Sequence, residues 1–213
     1  MTRNGPDAAI AFLAASLAGV AAPLNPAYTR AEFIFSLRDL PAAMLVTDGA
    51  SVAASEAAKE CGIPQINLGG AGWRSGATAD YAAPEANDVA LVLHTSGTTG
   101  KPKRVPLTHG NLTYSAANIA RTLQLQPGDR CLNVMPLFHI HGLVGCLLSS
   151  LQAGSEVFCS SRFDAFQFWR LLEGARPSWY SAVPSMHQAI LARAPREAAA
   201  PTLRFARSAS SSL

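Results

Sequence analysis

One run of the chain collects the residue types that could do chemistry: His94-Thr95-Ser96-Gly97-Thr98-Thr99-Gly100-Lys101-Pro102-Lys103. Gly97 and Gly100 let a backbone turn tightly and come close to a ligand. Thr95, Ser96, Thr98 and Thr99 offer hydroxyls, and successive backbone N–H groups in such a turn form an anion cradle. The chain has three lysines, and two of them, Lys101 and Lys103, lie in this run. The set suits a polyphosphate. It is not a Walker A loop, which needs four residues between its glycines and then Lys and Ser/Thr. Here Thr98 and Thr99 alone separate the glycines, and Pro102 follows Lys101 where that motif needs Ser or Thr.

Other residues are weaker candidates. His139 and His141 form an H-x-H pair, but no carboxylate or thiol stands at a spacing that would complete a zinc site. His187 falls on a helical pattern and reads as a packing residue. The four cysteines, Cys61, Cys131, Cys146 and Cys159, form no C-x-x-C pair and read as buried free thiols of a reducing compartment. The serine-rich end, Ser208-Ala209-Ser210-Ser211-Ser212-Leu213, reads on its own as a frayed tail. A formal net charge of +3, with arginines spread along the chain, gives no stripe for nucleic acid.

The elements that would position these residues alternate. Hydrophobic residues make up 49% and charged residues 15% of 213 residues, a globular composition. The uncharged run 8–24 resembles a signal peptide, but Asp7 abuts it and Asn4-Gly5-Pro6 reads as a helix entry. We expect a buried amphipathic helix over 6–19 and no membrane span. Thr29-Arg30-Ala31-Glu32 is a capping box that opens a second helix. Strands are expected at 43–47, 64–68, 88–93, 131–135, 156–159, 178–182 and 203–208. Helices are expected at 51–61, 108–123, 141–151, 164–174 and 184–193. Residues 69–87 form a linker or subdomain boundary. The alternation predicts an α/β fold, mostly parallel sheets flanked by helices. Ligands on such sheets sit beyond the carboxyl ends of strands, where the Thr/Gly run falls.

The run from His94 to Pro106 resembles the signature of the adenylate-forming superfamily, which includes acyl- and aryl-CoA synthetases, luciferases and peptide-synthetase adenylation domains. That signature usually reads Tyr/His-Thr-Ser-Gly-Thr-Thr-Gly-x-Pro-Lys-Gly-Val, and this chain departs from it at Arg104. Asn25-Pro26-Ala27-Tyr28-Thr29, Pro136-Leu137-Phe138-His139-Ile140-His141-Gly142, Val183-Pro184 and Leu203-Arg204-Phe205-Ala206-Arg207-Ser208 follow in the family's order. The resemblance implies an ATP-dependent acid–CoA ligase using ATP, Mg2+ and coenzyme A. The carboxylate attacks the α-phosphate of ATP, giving an acyl-adenylate and pyrophosphate, and the coenzyme A thiol then attacks the adenylate. By this resemblance Thr95, Ser96, Gly97, Thr98, Thr99, Gly100 and Lys103 bind the phosphates. His139 lines the acyl pocket, and Ser210, Ser211 and Ser212 border adenine and the acid. Three serines where the family often has Gly-Ala-Ala-Pro imply a small polar acid. With the run from Trp179 to Gln188, they resemble oxalate–CoA ligases.

The resemblance also implies missing parts. The Tyr-Gly-x-Thr-Glu segment that binds Mg2+, the ribose-binding Asp and the C-terminal domain with its catalytic Lys are not in these residues, so 1–213 reads as a partial AMP-binding N-terminal domain. Exposed strand edges and apolar faces would then favour aggregation. The expected setting is cytoplasmic, or peroxisomal in a eukaryote. Two alternatives stay open: a non-catalytic nucleotide-binding or interaction fragment, and a ligase of aryl or fatty acids.

Overall fold

A computed structural model describes residues 1–69, 82–95, 102–195 and 203–211. The chain order is α1 (Pro6–Ala18), α2 (Arg30–Asp39), β1 (Leu45–Thr47), α3 (Val52–Glu60), β2 (Gln65–Asn67), β3 (Val89–Thr95), β4 (Lys103–Thr108), α4 (His109–Thr122), β5 (Arg130–Asn133), a π-helix (His141–Leu148) running into α5 (Ser149–Gln152), β6 (Glu156–Cys159), α6 (Phe168–Ala175), β7 (Trp179–Ala182), α7 (Pro184–Leu191) and β8 (Phe205–Ser208). The fold is α/β, as expected. The expected boundary near 69–87 falls largely on residues 70–81, outside the described residues.

Helix starts follow local chemistry. The Thr29 hydroxyl accepts from the Glu32 N–H, and the Glu32 carboxylate accepts from the Thr29 N–H. Thr108 and Asn111 make the same reciprocal pair at α4, and Ser51 caps α3. Each cap satisfies N–H groups that a helix start leaves without intrahelical partners.

The main sheet is parallel, in the order β6-β5-β7-β8. Its two central strands are covered on both faces, as parallel interior strands must be. Leu132 and Tyr180 pack with Phe168, Leu172 and Ile190 on one side, while Cys131 and Trp179 pack with Cys146 and Met135 on the other. At the strand starts, the Asp129 carboxylate accepts from the Gln126 N–H, the Ser178 hydroxyl and the Arg204 guanidinium, tying three loops together. A second parallel pair, β1–β2, packs with α2 and α3 around Phe33, Leu37, Ala54 and Ala57.

Three local expectations change. First, the Thr/Gly run does not lead from strand to helix. β4 follows it and pairs antiparallel with β3, placing His94 opposite Arg104 and Thr95 opposite Lys103. Pro106 is tolerated in β4 because that strand is an edge. Second, the helix expected over 141–151 is present, but its residues 141–148 are wound as a π-helix. At its start Gly142 lies against the preceding turn: a Cβ there would sit 2.4 Å from the Pro136 carbonyl oxygen. Third, α1 is a helix but not an amphipathic one. Ala8, Ala9 and Phe12 are buried, yet Ile10 and Leu17 are exposed. Among the described residues no helix is long and apolar enough to cross a membrane.

Candidate functional site

The β3–β4 hairpin carries the two described members of the expected phosphate-binding set. Thr95 and Lys103 are direct cross-strand partners, both exposed, so their side chains leave from the same face of the ribbon. Neither side chain is paired with another described residue. Ser96, Gly97, Thr98, Thr99 and Gly100 lie outside the described residues, as does Lys101.

A second cluster forms at the carboxyl ends of β7 and β8, where the π-helix crosses the sheet. His141 is buried at the start of that helix. Its Nε2 stands 2.7 Å from Ser181 Oγ and its Nδ1 3.0 Å from Ser210 Oγ. Burial first, then the charge of Arg207 and the neighbouring His187, lower its pKa to about 4, so the ring is neutral at pH 7. The hydrogen bonds select a tautomer. The Ser181 hydroxyl lies 3.3 Å from the Arg207 carbonyl oxygen, which only accepts. Ser181 therefore donates there and accepts from His141 Nε2–H, leaving Nδ1 to accept from Ser210. Ser210 holds this position with φ 77, a left-handed backbone that serine adopts at a cost.

Arg207 completes the cluster. Ser181 and Arg207 are register partners in the β7–β8 pair. The Arg207 carbonyl also accepts from His187 Nε2–H at 3.1 Å, and His187 Nδ1 accepts from the Tyr180 hydroxyl at 2.9 Å. His187 is thus a structural anchor. The Arg207 guanidinium reaches the π-helix, with Nη1 3.5 Å from the Gly145 carbonyl. Gly145 leaves the room for it: a Cβ there would meet Arg207 Nη1 at 3.1 Å and His141 Cδ2 at 3.2 Å. Beside Arg207, the buried Ser208 hydroxyl has no partner among the described residues. Within this cluster the Arg207 guanidinium and the Ser208 hydroxyl are the groups that can receive a small anion, with His141, Ser181 and Ser210 bonded to one another around them.

The remaining expected residues fall around this cluster. Ser211 is exposed beyond Ser210, and Ser212 lies outside the described residues. His139 does not join His141. Its exposed ring stacks at a tilt on Phe138, with centroids 4.5 Å apart, and surrounding protein lowers its pKa. It borders a separate cavity of about 70 Å3 with Asn25, Tyr28, Leu40, His94 and Phe138. Among the described residues no three His, Cys, Asp or Glu side chains converge to hold a metal ion. All four cysteines are free thiols, and burial pushes Cys131 up and Cys159 to about 11, which keeps both protonated. Sequence reasoning did not assign Ser181, Arg207 or His141. Arg207 and Ser181 lie 26 positions apart and meet only through strand register.

A family model described as AMP-binding enzyme matches residues 1–213. The chain is similar to an oxalate–CoA ligase of Arabidopsis thaliana, 42% identical over 228 residues that cover 99% of this chain and 44% of the relative. It is similar to a probable CoA ligase of Humulus lupulus, 43% identical over 212 residues that cover 91% and 40%. An o-succinylbenzoate–CoA synthetase of Bacillus subtilis, solved with its acyl-adenylate intermediate, superposes with a TM-score of 0.85 at 27% identity, over 100% of this chain and 55% of that one. The chain spans less than half the length of these two curated relatives.

Proposed function

The chain belongs to the AMP-binding enzyme family, matched over its whole length, and on that premise we propose that it supplies the phosphate and acid sites of an ATP-dependent acid–CoA ligase for a small polar acid, oxalate being the candidate. The observation that carries the choice of acid is His141, neutral and buried between Ser181 and Ser210, with the Arg207 guanidinium alongside. A dicarboxylate uses one carboxylate as nucleophile and must have the other recognised. Arg207 supplies charge for the second carboxylate and the Ser208 hydroxyl, unpartnered among the described residues, a hydrogen bond, while His141, Ser181 and Ser210 hold one another in place around them. An aryl or fatty acid would need apolar walls there, and would leave the Arg207 guanidinium and the Ser208 hydroxyl without an anionic partner.

In the reaction, a carboxylate oxygen bonds the α-phosphorus of ATP and the bond to the departing pyrophosphate breaks. The coenzyme A sulfur then bonds the acyl carbon and AMP leaves. Thr95 and Lys103 face the phosphate side of this chemistry and offset the charge on the leaving pyrophosphate.

The test is ATP–pyrophosphate exchange by the full-length protein with oxalate, a cinnamate and a long-chain fatty acid. Oxalate should support exchange at least about tenfold better than the others, because a site built of hydrogen-bonding groups rejects ligands that leave them unpaired. Preference for the aromatic or long-chain acid would overturn the choice of acid. ATP binding with no exchange on any carboxylic acid would favour the alternative, a non-catalytic nucleotide-binding chain.

A further inference from the structure

Arg104 stands where the family signature usually carries glycine, and the chemistry above makes no use of it. Its Nη1 donates to the Asp39 carbonyl at 2.9 Å, and its Nε lies 3.5 Å from Asp39 Oδ2. The same carboxylate oxygen stands 2.9 Å from His94 Nε2. His94 and Arg104 are cross-strand partners in the hairpin. Phe35, one turn back on α2, brings its ring to 6.2 Å from that of His94. One carboxylate therefore ties both strands of the hairpin to α2. Asp39 is the last residue of that helix. Its carbonyl is one that a helix end leaves unsatisfied, and a guanidinium there also meets the negative end of the helix dipole.

The tie joins two separately packed units. α2 belongs to the core around Phe33, Leu37 and Ala57, whereas Ala90 and Leu91 of β3 belong to a core with Phe12, Leu112 and Leu143. A two-stranded ribbon by itself twists readily and is only marginally stable, so an outside anchor sets how its end is turned. Side chains alternate faces along a strand. His94 and Arg104 turn toward α2, and the next pair, Thr95 and Lys103, turns to the opposite face.

We propose that Arg104, acting with Asp39, is a positioning residue for the nucleotide phosphates: by pinning one face of the β3–β4 stem to α2, it aims Thr95 and Lys103 from the other face. This rests on the reading of Thr95 and Lys103 as phosphate ligands. The charged head of Arg104 takes the place of conformational freedom that a glycine would leave in the stem.

The test measures binding of Mg-ATP and of adenosine, which has no phosphates, by titration calorimetry. The unsubstituted chain is compared with Arg104→Gly, Arg104→Lys, Asp39→Asn and the Arg104→Gly/Asp39→Asn double variant. Arg104 is exposed, so its replacement leaves the fold in place even if Asp39→Asn does not. Arg104→Gly should weaken Mg-ATP binding about fivefold, the scale of a good exposed ion pair, and leave adenosine binding unchanged. Arg104→Lys should recover part of the loss. The double variant should be no worse than the weaker single one, since both remove one tie. Unchanged Mg-ATP affinity in Arg104→Gly, or equal losses for ATP and adenosine, would overturn the positioning role. All variants are made in the full-length protein. Failure of the unsubstituted full-length protein to bind Mg-ATP overturns the phosphate-site reading itself, and the positioning role falls with it.

Discussion

Two glycines of the π-helix should respond oppositely to alanine. At Gly145 an added Cβ would sit 3.1 Å from Arg207 Nη1 and 3.2 Å from His141 Cδ2. Both neighbours are the ends of side chains and can give by a few tenths of an ångström. Alanine also gains about 1 kcal/mol over glycine in a helix interior, which offsets the crowding. At Gly142 a Cβ would lie 2.4 Å from Pro136 O, 3.0 Å from Pro136 C and 3.1 Å from Met135 O. These are backbone atoms, so the turn or the helix must move, at a cost of about 1–3 kcal/mol. A chain of this size loses roughly 2–4 °C of melting temperature per kcal/mol. Gly142→Ala should therefore melt about 2–12 °C lower, and Gly145→Ala within about 3 °C of the unsubstituted protein. Activity should rank the other way in kind. Gly145→Ala moves the Arg207 guanidinium away from the second carboxylate of bound oxalate, and a charge-assisted hydrogen bond of that kind is worth about 1.5–3 kcal/mol, so kcat/KM for oxalate should fall roughly tenfold to a hundredfold. Thermal melts and acid-dependent pyrophosphate release measure the two quantities. The reasoning fails if Gly145→Ala keeps its kcat/KM for oxalate, or if it melts as low as Gly142→Ala.

The remaining predictions concern the same cluster. His141 titrates near 6.5 in an unfolded chain but at about 4 here, held down first by burial and then by Arg207 and His187. The native state is therefore fully stable above about pH 6.5 and loses stability as pH falls from there toward 4, because only the unfolded chain takes up the proton. His141→Gln has no such window, so its melting temperature should fall less steeply over that range; parallel curves would refute the assignment. Ser210→Gly relieves a left-handed backbone but removes the donor to His141 Nδ1. Its melting temperature should hold or rise while kcat/KM for oxalate drops several-fold, and Ser210→Ala should lose on both counts. Unchanged acid kinetics in Ser210→Gly would remove Ser210 from the site.

What the sequence disclosed is what lies close along the chain. The pairs Thr29–Glu32 and Thr108–Asn111 cap helices within three residues, and the strand at 156–159 carries its own pattern. The Thr/Gly run is contiguous, so the expectation of a phosphate site could be drawn from it without knowing what packs against it. β4 was hidden because Pro102 and Pro106 break the usual strand signal, and what makes Lys103–Thr108 a strand is its pairing with β3. The acid cluster was hidden for a stronger reason. Of its members the sequence named Ser210 alone; His141, Ser181 and Arg207 come from three separate parts of the chain, and the β7–β8 register brings Ser181 to Arg207.

The two histidines show how far this ambiguity reaches. Two positions apart, His139 and His141 look equivalent in the sequence, but a helix beginning at His141 turns only one of them onto the sheet. Which one it turns depends on how tightly the chain packs before it, and Gly142 permits contact with Pro136 that no larger residue would. The same helix then spends its next inward position on Gly145, which makes room for Arg207. A glycine that shapes the backbone and a glycine that shapes the site thus stand three residues apart. Neither role can be read from the letters Gly-Leu-Val-Gly without the turn and the strand that face them.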